Sequence, residues 1–344
     1  MAATAVIGSN QTAAPDAIME IAFGFAASKT LFSAVELGLF TELSKGPATA
    51  FEIQRRLGLH PRAVRDFLDT LVSMRLLDRE DGLYSNTPAS AGFLDRTKDT
   101  YIGGMLEMAN NRLYPHWRSL TEALRTGERQ NETRNGTDAF AELYSDPARM
   151  RAFLGAMTAL SKPAAAALAR NFPWTNYQSV VDIGTAQGRV PVQLAISHPH
   201  LLACGYDLPA VRPVFEEYVA EHGLEQQVRF MPGDFHTEPL PTADVLVMGR
   251  ILHDWGLEDK LRLLRKAYDA LPQGGALIVY ESLIDDERKS NTAGLLMSLN
   301  MLIETPAGFD YTGAECREWM RQTGFRTTRV EPLAGRESMV VGIK

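Results

Sequence analysis

The chain has 344 residues, 45% of them hydrophobic, and 35 lysines and arginines against 42 aspartates and glutamates for a formal charge of −7. That length exceeds one average domain and can bury two cores, while the acidic balance disfavours broad attraction to nucleic-acid backbones or anionic membrane surfaces. The two cysteines, Cys204 and Cys316, stand outside any CxxC pair, which excludes a disulfide framework and a cysteine zinc site and fits a reducing cytoplasm.

Residues 1–15 lack the basic and apolar regions of a signal peptide and read as a flexible tail, and no later run approaches eighteen uninterrupted apolar residues. From Ala17 to Leu43 the apolar positions recur at helical spacing, interrupted at Gly24 and Gly38, which predicts two helices. A third runs from Ala48 to Leu57, closed by Gly58, and a fourth from Pro61 to Leu77. The polar turn Asp78 to Gly82 and the extended Leu83-Tyr84-Ser85 then read as a β-hairpin, so residues 16–100 are expected to form a winged helix.

A winged helix with Arg55, Arg56, Arg62 and Arg65 on or beside its helices raises a DNA-binding regulator as a rival reading. Asp66, Asp69, Asp78, Glu80 and Asp81 offset that charge and favour solvated helix faces. The N-terminal apolar periodicity exceeds what one small winged helix needs, which predicts a symmetric dimer with one subunit helping to close the other's acceptor pocket. Residues 101–172 read as a helical linker and pocket wall.

From residue 173 to 344 short apolar runs alternate with helical segments: Ser179 to Ile183, Leu201 to Tyr206, Val228 to Met231, Val245 to Met248, Ala276 to Tyr280 and Arg329 to Val341. That texture predicts an α/β fold, a doubly wound, Rossmann-like and mostly parallel sheet. Its first strand runs through Asp182 into the turn Gly184-Thr185-Ala186-Gln187-Gly188, its second ends in Asp207, and its third in Gly233-Asp234-Phe235. A second-strand carboxylate can accept from both ribose hydroxyls, so a nucleoside ligand is expected. The turn lacks the GxGxxG spacing that cradles a pyrophosphate, which points to the phosphate-free S-adenosylmethionine rather than NAD.

The stretches Ala34-Val35-Glu36-Leu37-Gly38-Leu39-Phe40, the glycine turn, Asp207-Leu208-Pro209, Gly233-Asp234-Phe235, Leu252-His253-Asp254-Trp255, Gly274-Gly275 and Glu281-Ser282-Leu283 are met in this order over nearly the whole chain. Taken together they resemble the plant caffeate-type and animal acetylserotonin O-methyltransferases and their bacterial polyketide-tailoring relatives. The resemblance implies that Gly184, Asp207, Leu208, Asp234 and Phe235 hold S-adenosylmethionine, that Trp255 packs on its adenine, and that Ser161 and Arg250 reach its methionine part. The family carries three consecutive glycines where this chain has Gly184-Thr185-Ala186, so two Cβ atoms are expected to narrow the turn.

Methyl transfer to a phenol needs in-line alignment and a base, because a phenol pKa near ~10 leaves little phenolate at neutrality. His253 follows the strand Val245 to Met248 and Glu281 follows the strand Ala276 to Tyr280, so adjacent strand ends are expected to pair the imidazole with the carboxylate. A histidine in such a place is otherwise a cap or a packed polar residue. The resemblance adds Asp310 as a second acid, in Phe309-Asp310-Tyr311-Thr312 where the family has Arg-Glu-Arg-Thr. It also places Asn300 and Met301 on an acceptor-binding helix, where with Met157 they could hold an aromatic ring or be ordinary core. No HExxH or cysteine-ligand spacing occurs, so metal-independent chemistry is expected.

These readings converge on methylation of a phenolic or other aromatic hydroxyl of a small secondary-metabolite acceptor, without nucleic-acid or membrane partners. The alternatives are C- or N-methylation on the same fold, or a non-catalytic ligand-binding or DNA-binding regulator.

Overall fold

The computed structural model describes residues 15–133 and 143–344, so the tail expected over 1–15 lies, apart from Pro15, outside the described residues. The chain divides into two compact units, one up to Tyr114 and one from Pro115 onward, a boundary that falls inside the segment 101–172.

In the first unit one helix spans Asp16–Glu36, continuing through Gly24, and a short helix Leu39–Leu43 follows Gly38, whose φ of +70° suits glycine. Ala48–Thr49 forms strand β1 rather than the start of the next helix. Thr49 is the N-cap of the helix Ala50–Leu57, in a capping box with Glu52, and its extended backbone lets it pair with Leu83. The helix expected over Pro61 to Leu77 is confined to Val64–Ser73, because Arg75 turns to a φ of +58° and Leu77 enters a strand. Strands β2 (Leu77–Glu80) and β3 (Leu83–Asn86) form the expected hairpin, and the three-stranded sheet has the order β1-β3-β2. Phe40, Ile53, Leu68, Leu71 and Tyr84 form part of its core.

The Asp16–Glu36 helix contributes only Ala34 and Val35 to buried surface and leaves Ile18, Ile21 and Phe25 exposed at 64%, 63% and 56%. By length and hydropathy alone it could cross a bilayer, as could Pro147–Asn171. The latter buries Leu154, Ala164, Ala165 and Leu168 in its own unit.

The second unit is built on strands β4 (Ser179–Ile183), β5 (Leu202–Asp207), β6 (Val228–Pro232), β7 (Val245–Gly249), β8 (Ala276–Glu281), β9 (Thr327–Ala334) and β10 (Glu337–Ile343). They form one sheet in the order β6-β5-β4-β7-β8-β10-β9. The strands from β6 to β8 pair in parallel. The terminal run, expected as one strand from Arg329 to Val341, is instead the antiparallel hairpin β9–β10, turning at Gly335 with φ +60°.

Alternation along the central strands builds two cores. Val180, Val245, Val247 and Ile278 face one apolar cluster, while Val181, Leu246, Met248 and Leu277 face the other. Burial on both faces is why these strands read as nearly continuous apolar runs.

Gly205, in β5, is closely packed beside the first turn. A Cβ there would come within 2.4 Å of Phe215 Cε2 and 2.5 Å of Thr185 Cγ2. Gly205→Ala is expected to lower stability by about 1–3 kcal/mol in urea unfolding, the usual cost of overpacking a filled core; an unchanged midpoint would show that Phe215 and Thr185 can move aside.

Candidate functional site

The carboxyl ends of β4, β5 and β6 meet as the sequence predicts. The backbone N–H of Gly184, with φ +71°, donates to Tyr206 O at 2.8 Å, and that of Gly233 donates to Asp207 O at 2.9 Å. These bonds lock the first turn to β5 and β5 to the loop after β6.

Thr185 does not narrow the turn. Its hydroxyl donates to Asp182 Oδ2 at 2.8 Å and the side chain is buried inward, in the space that Gly205 leaves. Ala186 takes φ +52°, a conformation costing a non-glycine residue about 1 kcal/mol or more, and packs beside Met150, Leu154, Val211 and Val214. Its N–H donates to Asp207 Oδ2 at 2.9 Å, while the N–H of Leu208 donates to Oδ1 at 2.8 Å. Burial pushes the Asp207 carboxyl up to about 6 against the pull of those two bonds. Each oxygen keeps a second lone pair for a ligand hydroxyl.

Asp234 caps its own loop, with Oδ1 accepting from His236 N at 2.8 Å and Oδ2 from Thr237 Oγ1 at 3.0 Å. Phe235 and Trp255 meet edge to face at 5.9 Å, and the His236 ring lies 4.1 Å from Trp255. The Lys266 ammonium ties this loop down through the carbonyls of Phe235, His236 and Glu238, each at 2.8 Å. The buried Tyr206 hydroxyl and His236 Nε2 lack a hydrogen-bond partner among the described residues. Open lone pairs on an acidic strand end, aromatic rings and unpaired polar atoms together fit an adenosine-containing ligand.

Arg250 and Ser161 come together, Nη1 donating to Ser161 Oγ at 3.1 Å, but the guanidinium also pairs with Glu337 of β10 and donates to Leu160 O at 3.2 Å. Glu337 thus shares this guanidinium, and no local motif marks it in the sequence.

Parallel pairing of β7 with β8 sets Gly249 against Tyr280, so the segments leaving both strands are neighbours. His253, in the short turn Leu252–Asp254, places Nδ1 at 3.3 Å from Asp310 Oδ1 and 3.7 Å from Glu281 Oε2. Nδ1 and both carboxylates are within ion-pair reach but off hydrogen-bond alignment in this state. Nε2 lies 3.5 Å from Asp254 Oδ1. Glu281 and Asp310 are each 1% exposed.

Glu281 Oε1 accepts, at 3.4 Å each, from the backbone N–H of His253 and the hydroxyl of Tyr311. Burial opposes the imidazolium, but Glu281, Asp254 and Asp310 outweigh it and hold His253 up at about 10. Burial raises Glu281 to about 7 against the pull of His253.

On the helix Thr292–Glu304, Met301 is buried and Asn300 Oδ1 accepts from Trp117 Nε1 at 2.9 Å. Met157 is half-buried on Pro147–Asn171. Trp117, Tyr311 and Lys260, the last fully buried on the helix Leu257–Ala270, are further parts of this region that the sequence does not single out, since an indole, a phenol and a helix lysine carry no spacing signal.

The O-methyltransferase domain family matches residues 117–326, and the O-methyltransferase dimerisation domain family matches residues 19–96. The chain is 44% identical to the tetracenomycin polyketide synthesis 8-O-methyl transferase TcmO of Streptomyces glaucescens, covering 96% of this chain and 97% of that one. It is 37% identical to the N,N-dimethyltransferase OxyT of Streptomyces rimosus, covering 95% and 96%. The solved structure of human N-acetylserotonin methyltransferase in complex with S-adenosylmethionine superposes with a TM-score of 0.89 at 27% identity, covering 98% of this chain and 99% of that one.

Proposed function

The chain belongs to the S-adenosylmethionine-dependent O-methyltransferase family, and from that premise we propose that it methylates a phenolic hydroxyl of a small polycyclic aromatic acceptor, with His253 as general base. The observation that carries this reading is the buried imidazole whose Nδ1 faces Asp310 and Glu281. The polyketide named for the Streptomyces glaucescens relative supports the acceptor class.

When bound, S-adenosylmethionine supplies an electrophilic methyl on a sulfonium that departs as a neutral thioether. Asp207 would accept from the ribose hydroxyls, Phe235, Trp255 and Asp234 would line the adenine, Gly184 and Leu208 would offer close backbone, and Ser161 with Arg250 would face the amino-acid end. Asn300, Met301 and Met157 would orient the acceptor ring. His253 then takes the hydroxyl proton at Nε2, while Asp310 and Glu281 hold the Nδ1 proton and stabilise the imidazolium that forms. No step in this scheme calls for a metal. The similarity to an N,N-dimethyltransferase keeps nitrogen as the second acceptor atom, and methoxy against N-methyl product decides between them.

We assign the first unit to self-association as a winged helix that pairs two copies. The exposed Ile18, Ile21 and Phe25 lie on a helix within or beside the matched dimerisation segment, which favours a second copy over a bilayer as their partner.

In calorimetric titration S-adenosylhomocysteine is expected to bind the wild-type chain and to bind Asp207→Ala at least about tenfold more weakly, as for losing charged hydrogen bonds; equal affinities would remove Asp207 from the site. With a panel of naphthols and polycyclic phenols, His253→Ala should lose about 10²–10⁴-fold in kcat. Because His253 is held above its ordinary value, it is protonated at neutrality, and kcat/KM should rise with pH toward about 10 as the neutral base appears; a flat alkaline profile argues against the base. Light scattering should give twice the chain mass, falling toward one chain for Phe25→Asp, and a monomeric wild type would sink the dimer assignment.

A further inference from the structure

We propose that Lys260 is a positioning residue for this site, clamping the loop that carries His253 to the loop that carries Asp310 and so holding the second carboxylate against the imidazole. The inference rests on the reading of His253 as the base.

Lys260 is 0% exposed, in a helix whose other charged residues largely face outward. A lysine is almost never buried unless it is paired. Its ammonium donates to the carbonyl of Trp255, two residues beyond His253, and at 2.9 Å to that of Phe309, the residue before Asp310. It lies 3.5 Å from the centroid of the Phe309 ring and 5.5 Å from that of Tyr311. These are the two positions where arginines stand in the family the sequence resembles.

The two loops are also in direct contact. A Cβ on Gly308 would come within 2.6 Å of His253 O, and one on Gly256 within 3.1 Å of Ala307 Cβ. Neither loop is part of a helix or strand over Gly256 and Thr305 to Asp310, so no regular backbone ladder fixes their separation. A buried cation shared by one carbonyl from each does so instead.

Charge fits the same role. Asp254, Glu281, Asp310 and the Cys316 thiol face the ammonium, and Asp254, Glu281 and Asp310 also face His253. Burial pushes Lys260 down to about 8 against those acidic groups. Packing the buried Glu281 and Asp310 and the half-buried Asp254 around one imidazole would be costly without a further cation.

A double-mutant cycle read on His253 itself tests this without any acceptor. In histidine-labelled full-length protein, with the His253 ring signal identified by its loss in His253→Gln, Asp310→Asn should weaken proton binding by His253 about tenfold or more, as for loss of an adjacent opposite charge. In the Lys260→Met background the same change should have less than about half that effect, because Asp310 is no longer held in place. An equal effect in both backgrounds overturns the proposal. Should Lys260→Met not fold, the wild-type chain supplies the reading: the amide signals of Asp254 to Gly256 and of Phe309 to Tyr311 should move together at the pH where the Lys260 Cε signal titrates. Lysine titration that leaves those amides still equally overturns it. Neither measurement depends on turnover, so failure of His253→Ala to lose activity would refute the base and leave this coupling separately decided.

Discussion

Asp254, Glu281 and Asp310 surround one imidazole where little water enters, and the cost of that arrangement governs its surroundings. Burial raises Glu281 and Asp254, and the carboxylates around His253 raise it in turn, so that proton occupancy belongs to the cluster and not to any single residue. The same field that favours the imidazolium is the one a general base at this position would draw on as it received a phenol proton.

Bringing the segments of His253 and Glu281 side by side falls to the sheet. Parallel pairing of β7 and β8 leaves no freedom in the spacing of the segments that leave them, and burial of both faces resists slippage by one residue, which would exchange the two cores. On the other side of the sheet's centre, β4, β5 and β6 bring an acidic end and small-residue turns to one edge. The inward hydroxyl of Thr185 and the absent side chain of Gly205 form a matched pair: a larger turn residue is tolerated because the neighbouring strand gives up its Cβ. At Thr185 the departure from the family's glycine run is thus absorbed by packing beneath the turn.

Much was legible in the chain before folding. Apolar runs bounded by turns located the parallel strands within a residue or two, most fully for β4, β7 and β8, where burial on both faces demands apolar residues almost throughout. Glycines at 38, 58 and 184 marked left-handed turns because side-chain sterics allow few other residues there. The spacing from His253 to Glu281 placed them at neighbouring strand ends, because one helix and one strand lie between them. The β1 strand and the early end of the fourth helix were not legible: both depend on pairing with β3, and a two-residue strand has no period of its own.

What the sequence by itself determined, then, is whatever depends on local sterics and on the period of buried residues: the order of strands and helices, the turns, and which chemical groups arrive at the strand ends. Tertiary structure alone decided the pairings between groups distant in sequence. Arg250 meets Glu337, Asn300 meets Trp117, the last strand folds back as a hairpin, and Lys260 sits beneath the loops of His253 and Asp310. Such contacts follow from the three-dimensional closure of a filled core, where a buried charge must find its partner wherever the packing puts one, and no local pattern encodes that address.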